Sequence, residues 1–515
     1  RSTRGTSSHQ HNPFVILADK DTTESTGECY SASFLYSGGF HAQAEVDQFN
    51  QTRLVIGIDD YDFSWKLKKG ESFSTPEVCL TYSADGFSKL SQTLHQAIVS
   101  NLIRSCWKDR VRPILVNNWE ATYFDFNKDN LIAIAKEAAE LNLDMLVLDD
   151  GWFGKRDDDF SGLGDWFVNE KKLCGTLSEL VKEVHDMGLS FGLWFEPEMI
   201  SEDSDLYRAH PDWALVIPGR QPIRSRSQLV LDMSREDVTD YLTERICDIV
   251  EKADIQYIKW DMNRSLMAAY SAKLPRDRQG ELRHRYVLGL YKVLEAVTQR
   301  FPELLLEGCS GGGGRFDAGM LYYCPQIWCS DNTDAIERLR IQYGTSFGYP
   351  MSSVSAHVSV CPNHQNHRVT PFKTRGICAM QGTFGYELDL SKMTDEEKKM
   401  AGEQIAFFKE HGRLFQFGDY YRLTSPFENR DYTVWEYAAQ DGSEACMSVV
   451  YTDMYANAAS EIVKWKGLDP KKVYQMQLDG EDAGNFSGAA LMHAGILLPL
   501  PEQNYDAFQI YLKAE

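Results

Sequence analysis

Short apolar runs bounded by Gly, Asp and Ser recur early in the chain, at 14–17, 32–36, 54–58 and 78–81. Their length and spacing predict strands of an antiparallel sheet. A helical stretch over 87–102 follows and leads into a basic link at 108–112. Beyond Pro113 the texture changes: apolar runs alternate with amphipathic segments, as βα units on a parallel sheet do. Strands are predicted at 114–118, 145–149, 190–195, 229–233, 257–260, 304–307, 327–329 and 353–358, and helices at 130–141, 177–187, 236–252 and 282–300. In the third of these helices Val238, Tyr241, Leu242, Ile246, Ile249 and Val250 share one face, as on a helix docked against a sheet. Ser234, with Asp237 three residues on, predicts a capping box at its start. Eight strands interleaved with helices predict a (β/α)8 TIM barrel. An open doubly wound sheet is the alternative, because a strand count does not establish closure. The β texture returns at 432–437, 445–451, 462–465 and 508–512, with turns at Asp441-Gly442 and Asp479-Gly480. The expected organisation is an N-terminal β segment with a linking helix (1–110), a barrel (111–420) and a C-terminal antiparallel β domain (421–515).

Composition narrows the function classes. The 515 residues carry a formal net charge of −22. Such a surface repels phosphate backbones and anionic lipid, so neither nucleic acid nor membrane is expected as a partner. No apolar run approaches the ~20 residues of a bilayer span, and the N-terminal stretch has no h-region of a secretory signal. The 11 cysteines are scattered singly without a CxxC pair. That pattern predicts reduced thiols in a cytoplasmic protein rather than a disulfide framework or a structural zinc site.

In a barrel, catalytic groups sit where strands end. The run 257–260 contains Lys259 and continues into Asp261, two residues further and on the same strand face. An ionised carboxylate beside a ligand-binding cation would look like this, and so would a structural ion pair. The run 327–329 ends in Ser330-Asp331-Asn332-Thr333-Asp334. Two carboxylates converging on one mouth suit glycoside hydrolysis, retaining when they lie ~5–5.5 Å apart. Asp334 also suits the N-cap of a helix over 335–343. Asp149 and Asp150 end another run; with Glu196 and Glu198 they leave a metal-binding barrel open, while hydrogen bonding to sugar hydroxyls is the other reading. Gly311–Gly314 before Arg315 lack a P-loop pattern, which leaves close backbone approach to a ligand or a plain loop. His364 and His367 have metal-pair spacing without a third ligand, so local hydrogen bonding is expected. Trp119, at a strand end, suits a sugar platform or core packing.

Nine segments together resemble the family 36 glycoside hydrolases, chiefly bacterial α-galactosidases. They are NNWEATYF (117–124), LVLDDGWFGKRDDD (146–159), GLGDW (162–166), LWFEPEMI (193–200), SQLVLDMSR (227–235), YIKWDMNR (257–264), EGCSGGGGRFD (307–317), SDNTDAIERLRIQYG (330–344) and SAHVSVCPNHQ (355–365). The resemblance implies Asp261 as nucleophile and Asp331 as acid/base of a retaining α-galactosidase. It implies a substrate-binding set of Trp119, Asp149, Asp150, Trp194, Arg226, Lys259, Asn263, Cys309 and Gly311, with Asp149 and Asp150 on the hydroxyls at C4 and C6 and Cys309 and Gly311 near C2. No cofactor and no metal are implied. It further implies that 1–110 holds a remnant of an N-terminal β-sandwich, and, from tetrameric relatives, a homo-oligomer. Rival readings are an α-N-acetylgalactosaminidase or galactosyl transglycosylase of the same family, and a non-catalytic carbohydrate-binding relic.

Overall fold

The computed structural model describes residues 1–7, 9–267 and 269–515. Its centre is a parallel sheet in the order Val354–Ser355, Gln326–Trp328, Leu305–Gly308, Tyr257–Trp260, Ser190–Phe195, Met145–Leu148, Leu115–Asn117, Gly385–Glu387, Val358–Ser359. The first and last members are the two halves of one stretch interrupted at Ala356 and His357, so the sheet returns on itself as an eight-stranded barrel. Helices Lys128–Glu140, Leu177–Asp186, Glu236–Ala253, Leu282–Arg300, Ala335–Thr345 and Asp395–Phe417 lie among the connections.

The short strands are buried on both faces, which explains why they read as continuous apolar runs rather than as alternation. Alternation survives in where the side chains go. Leu115, Met145, Val147, Tyr257 and Leu305 form a separate cluster inside the barrel. Val116, Leu146, Leu148, Ile258 and Leu306 pack outward into the large core with the helices. The inward rows then change character two residues later, at Asn117, Asp149, Lys259 and Glu307. An apolar plug therefore carries a polar crown, with Lys259 in register with Trp194 on one side and Glu307 on the other.

Two expectations are corrected. The 229–233 run is not a barrel strand: Leu229–Val230 pairs antiparallel with Met199–Ile200, in an excursion after the third barrel strand. It is apolar because that excursion has its own buried contacts, Trp213, Ala214 and Leu231 among them. The remaining place is taken by Gly385–Glu387, three residues that begin with glycine and end in a charge. Tyr257–Trp260 is thus the fourth strand of the barrel, and Gln326–Trp328 the sixth. The capping box at 234–237 does not form; Asp237 pairs with Arg235 instead, and Ser234 bonds Asp232.

Around the barrel, Phe14–Ala18, Cys29–Phe34 and Val78–Ser83 form one antiparallel sheet, and Phe40–Val46 pairs with Thr52–Ile58 in another. Helix Gly86–Ala97 runs on into a π turn, Ile98–Leu102. Asp317 accepts from Ser7 and Ser37, both at 2.7 Å, and ties this N-terminal part to the barrel. The C-terminal part is a six-stranded antiparallel sheet, Asp419–Arg422 to Glu481–Ser487, with a core of its own around Trp465, Met447 and Leu512. Among the described residues no helix is long and apolar enough to cross a membrane.

Gly192 tests the account of the barrel interior. A Cβ there would lie 2.7 Å from Tyr257 Cδ1 and 2.9 Å from Val147 Cγ2. Gly192→Ala is expected to lower stability by about 1–3 kcal/mol through overpacking, read as a lower urea midpoint with unchanged slope. An unchanged midpoint would mean the plug is looser than described.

Candidate active site

The polar crown is built from the ends of the barrel strands. Lys259 Nζ donates to Asp149 Oδ2 at 2.8 Å, and Asn117 Nδ2 donates to the same oxygen at 2.7 Å. The Asp150 amide donates to Asp149 Oδ1 at 2.9 Å. Asp150 itself is held by the Arg156 fork at 2.8–3.1 Å. Burial pushes the Asp150 carboxyl up to about 6, against the pull of Arg156.

Asp261 follows the fourth strand directly and is buried. Four donors reach it: Met262 N and Gly311 N on Oδ1, both 2.8 Å, and Asn263 Nδ2 at 2.7 Å with Trp194 Nε1 at 3.2 Å on Oδ2. Burial raises its pKa, yet the Lys259 charge, the Gly311 amide, Arg226 and the Met262 amide outweigh that and hold it below the ordinary carboxylate value. Arg226 acts at one remove, donating to Asn263 Oδ1 at 2.6 Å.

Asp331 stands at the cavity mouth, exposed, and accepts from Trp328 Nε1 at 3.0 Å. Desolvation by the cavity walls and then the negative charge of Asp261 push its carboxyl up. The two carboxyls are therefore driven in opposite directions, one toward anion and one toward acid.

The glycine run connects them. Ser310, Gly311, Gly312 and Gly313 all have positive φ, from 61° to 85°. This left-handed turn aims the Gly311 amide at Asp261. At Gly312 a Cβ would come within 2.3 Å of Asp331 N and 2.9 Å of its Cγ. The run is neither a phosphate cradle nor slack loop; it is backbone brought close to both acids where no side chain fits.

A cavity of about 220 Å³ lies above this floor. Trp119, Asp149, Asp150, Trp194, Arg226, Lys259, Asp261, Asn263, Cys309 and Asp331 line it. Gly311 is not on its wall and meets it only through the bond to Asp261. Trp119 is half-buried, edge-on to Tyr123 and Phe124. Sequence reasoning missed part of the wall. Glu120 accepts from Thr333 Oγ1 (2.9 Å) and Val360 N (3.1 Å), with His364 Nδ1 at 3.2 Å. Burial and then Glu387 push Glu120 up to about 8. Glu387 pairs with His357 at 3.1 Å. The partners of Glu120 are distant in sequence, and Glu387 lies on a strand too short and too polar to be expected, so no local pattern marked either. Glu196, weighed earlier only as a metal ligand, lies buried beneath Asn263. Asp334 caps helix Ala335–Thr345 as expected, accepting from Glu337 N at 2.9 Å. Among the described residues no group of three or more His, Cys, Asp or Glu side chains is arranged to hold a metal ion.

Comparison with known proteins assigns the whole length. Residues 72–418 match the melibiase family model, 1–68 the glycosyl hydrolase family 36 N-terminal domain and 432–512 the family 36 C-terminal domain. The chain is 54% identical to the bifunctional alpha-galactosidase/sucrose kinase AgaSK of Mediterraneibacter gnavus, over 99% of this chain but 53% of that protein. It is 52% identical to alpha-galactosidase AgaA of Geobacillus stearothermophilus, over 100% of this chain and 70% of that one. The crystal structure of AgaA superposes with a TM-score of 0.98, at 52% identity, covering 100% of this chain and 71% of that one. A variant of AgaA solved in complex with raffinose gives the same TM-score, identity and coverage. With family models matching from end to end and half the residues shared with these relatives, the chain belongs to glycoside hydrolase family 36.

Proposed function

We propose that the chain is a retaining α-galactosidase that releases terminal α-linked galactose from neutral oligosaccharides of the raffinose type. The observation that carries the reading is the opposite drive on two carboxyls joined by one glycine turn: four donors and Lys259 keep Asp261 an anion, while Asp331 is pushed toward its acid form. In the first step the Asp261 carboxylate attacks the anomeric carbon, the glycosidic C–O bond breaks, and the Asp331 proton passes to the leaving oxygen. In the second, ionised Asp331 takes a proton from water, the oxygen attacks the anomeric carbon, and the ester bond to Asp261 breaks. Both side chains return to their starting states. Asp149, Asp150 and Lys259 offer acceptors and a donor for ring hydroxyls, and Trp119 offers a face for the sugar. We read 1–110, 111–420 and 421–515 as the three functional parts, the protein as cytoplasmic with its 11 free thiols, and a homo-oligomer as its working form. Raffinose bound to an AgaA variant supports the substrate class.

Turnover of p-nitrophenyl α-D-galactopyranoside tests the activity, with the N-acetyl analogue alongside to separate galactose from N-acetylgalactosamine. Asp261→Ala should fall to background and regain turnover with azide, giving β-galactosyl azide. Asp331→Ala should lose about 10²–10⁴-fold on alkyl galactosides, whose leaving groups need a proton. Near-parent activity in either variant removes its assignment.

The pH profile of kcat/KM follows from the two shifts. Asp261 works as the anion, so activity is lost as pH falls through its depressed pKa. Asp331 works as the acid, so activity is lost as pH rises through its raised pKa. The expected profile is a bell, and Asp331→Asn should remove the part of its alkaline limb that Asp331 sets.

Gly312→Ala would force a Cβ against Asp331 in a left-handed backbone, φ 76°. It should cost about 10²-fold in kcat by displacing the acid, with circular dichroism unchanged. Parent-like kcat would show that the turn does not position Asp331.

A further inference from the structure

One carboxyl of the site has no part in the steps above. Glu196 directly follows the third barrel strand, is 0% exposed, and is not on the cavity wall. Its Oε1 accepts from the Asn263 backbone N–H and from Gln228 Nε2, the latter at 2.7 Å. Its Oε2 is buried with no hydrogen-bond partner among the described residues. Two arginines face it, and both are committed elsewhere: Arg156 to Asp150, and Arg264 to the carbonyls of Ile223 and Gln228.

The contacts of Asn263 show what this carboxyl does. Its backbone N–H is held by Glu196, its Oδ1 by Arg226, and its Nδ2 is left to donate to Asp261 Oδ2 at 2.7 Å. The residue before Glu196 contributes as well, since Phe195 O accepts from Asp261 N at 2.7 Å. The end of the third strand thus fixes both the backbone of the nucleophile and the amide beside it. We propose that Glu196 is a positioning residue: it locks Asn263, and through Asn263 the attacking carboxylate of Asp261, from beneath the floor of the cavity. The inference rests on the reading of Asp261 as nucleophile.

Its protonation state follows from the same geometry. A buried carboxylate with one oxygen unpaired and no cation bonded to it is costly, and the neutral acid avoids that cost. Burial and then the charge of Asp261 push Glu196 up to about 8, against the Asn263 bonds and Arg156. Of the two, the anion is favoured on Asp261, which has four donors and Lys259, and the neutral acid on Glu196. Ionisation of Glu196 would put a second anion beside the first, with hydrogen bonds from Asn263 N and Gln228 Nε2 and with Arg156 and Arg264 acting only through space, and would loosen Asn263.

The test uses Glu196→Gln, which keeps an oxygen acceptor and is permanently neutral, and Glu196→Ala, which keeps neither function. Thermal midpoints confirm that each is folded. Glu196→Gln should keep kcat within about threefold of parent near pH 6, whereas Glu196→Ala should lose about 10–10²-fold in kcat with KM nearly unchanged. With 2,4-dinitrophenyl α-galactoside, whose leaving group needs no proton from Asp331, parent kcat/KM should fall above about pH 8 and Glu196→Gln should stay level. If Glu196→Ala fails to fold, the profile of Glu196→Gln decides alone. Parent-like kcat in the alanine variant, or a parent-like alkaline limb in the glutamine variant, overturns the inference. Failure of azide to restore Asp261→Ala would remove the nucleophile reading itself. Restored azide turnover with unaffected Glu196 variants would overturn only the role of Glu196.

Discussion

A carboxylate placed at the top of an apolar barrel loses its water, and it stays charged only where neighbouring groups replace that solvation. Asp261 meets this condition through four hydrogen bonds drawn from three parts of the chain: its own downstream residues Met262 and Asn263, Trp194 on the adjacent strand, and Gly311 in the turn after the fifth strand. Lys259 adds the opposing charge and is in turn anchored by Asp149. Each support needs the barrel closed and in register. Lys259 reaches this height only because it lies two residues beyond Tyr257 in the inner row, level with Trp194 and Glu307. The apolar plug below excludes water from the floor, and the same exclusion makes each donor above it count for more.

Asp331, the proposed acid/base, sits in a different setting. It is exposed at the mouth, with Trp328 Nε1 as its side-chain donor and Lys259 and Arg226 acting through space. A group that is to hold a proton and then release it is ill-served by several donors that favour the anion. Asp261, which the proposed mechanism needs charged at the outset, is surrounded by them. The separation of the proposed roles therefore rests on donor count and placement rather than on residue type, since both are aspartates.

Much of this was legible in the sequence, for a physical reason. A doubly buried strand is a continuous apolar run, so a charge at its end stands out; Asp149, Lys259, Asp261 and Asp331 were all found that way. Where that contrast fails, so does the reading. Gly385–Glu387 is too short and too polar to announce a strand, and Leu229–Val230 is apolar for reasons unrelated to the barrel. The first error hid Glu387, which sits on the overlooked strand. Glu120 was hidden for another reason: its partners Thr333, Val360 and His364 lie more than 200 residues away. The distances between the acids, the glycine turn and Asn263 likewise belong to tertiary structure and have no local pattern.

The glycine turn shows how much of a site consists of permitted backbone rather than of functional side chains. A side chain at Gly312 would collide with Asp331, and one at Gly313 would come within 2.5 Å of the Cys329 carbonyl. The turn can therefore pack against the segment bearing Asp331 while its Gly311 amide solvates Asp261. One turn thus meets both acids, Asp261 through the Gly311 amide and Asp331 through the close approach of Gly312. Arg315, just beyond the turn, reinforces this by binding Glu198 on the excursion after the third strand and Ser310 within the turn itself. The buried ion pair adds little net stability by the usual balance of desolvation against attraction. Its value lies in fixing the turn at one height, against the segment that carries Glu196 and hence Asn263.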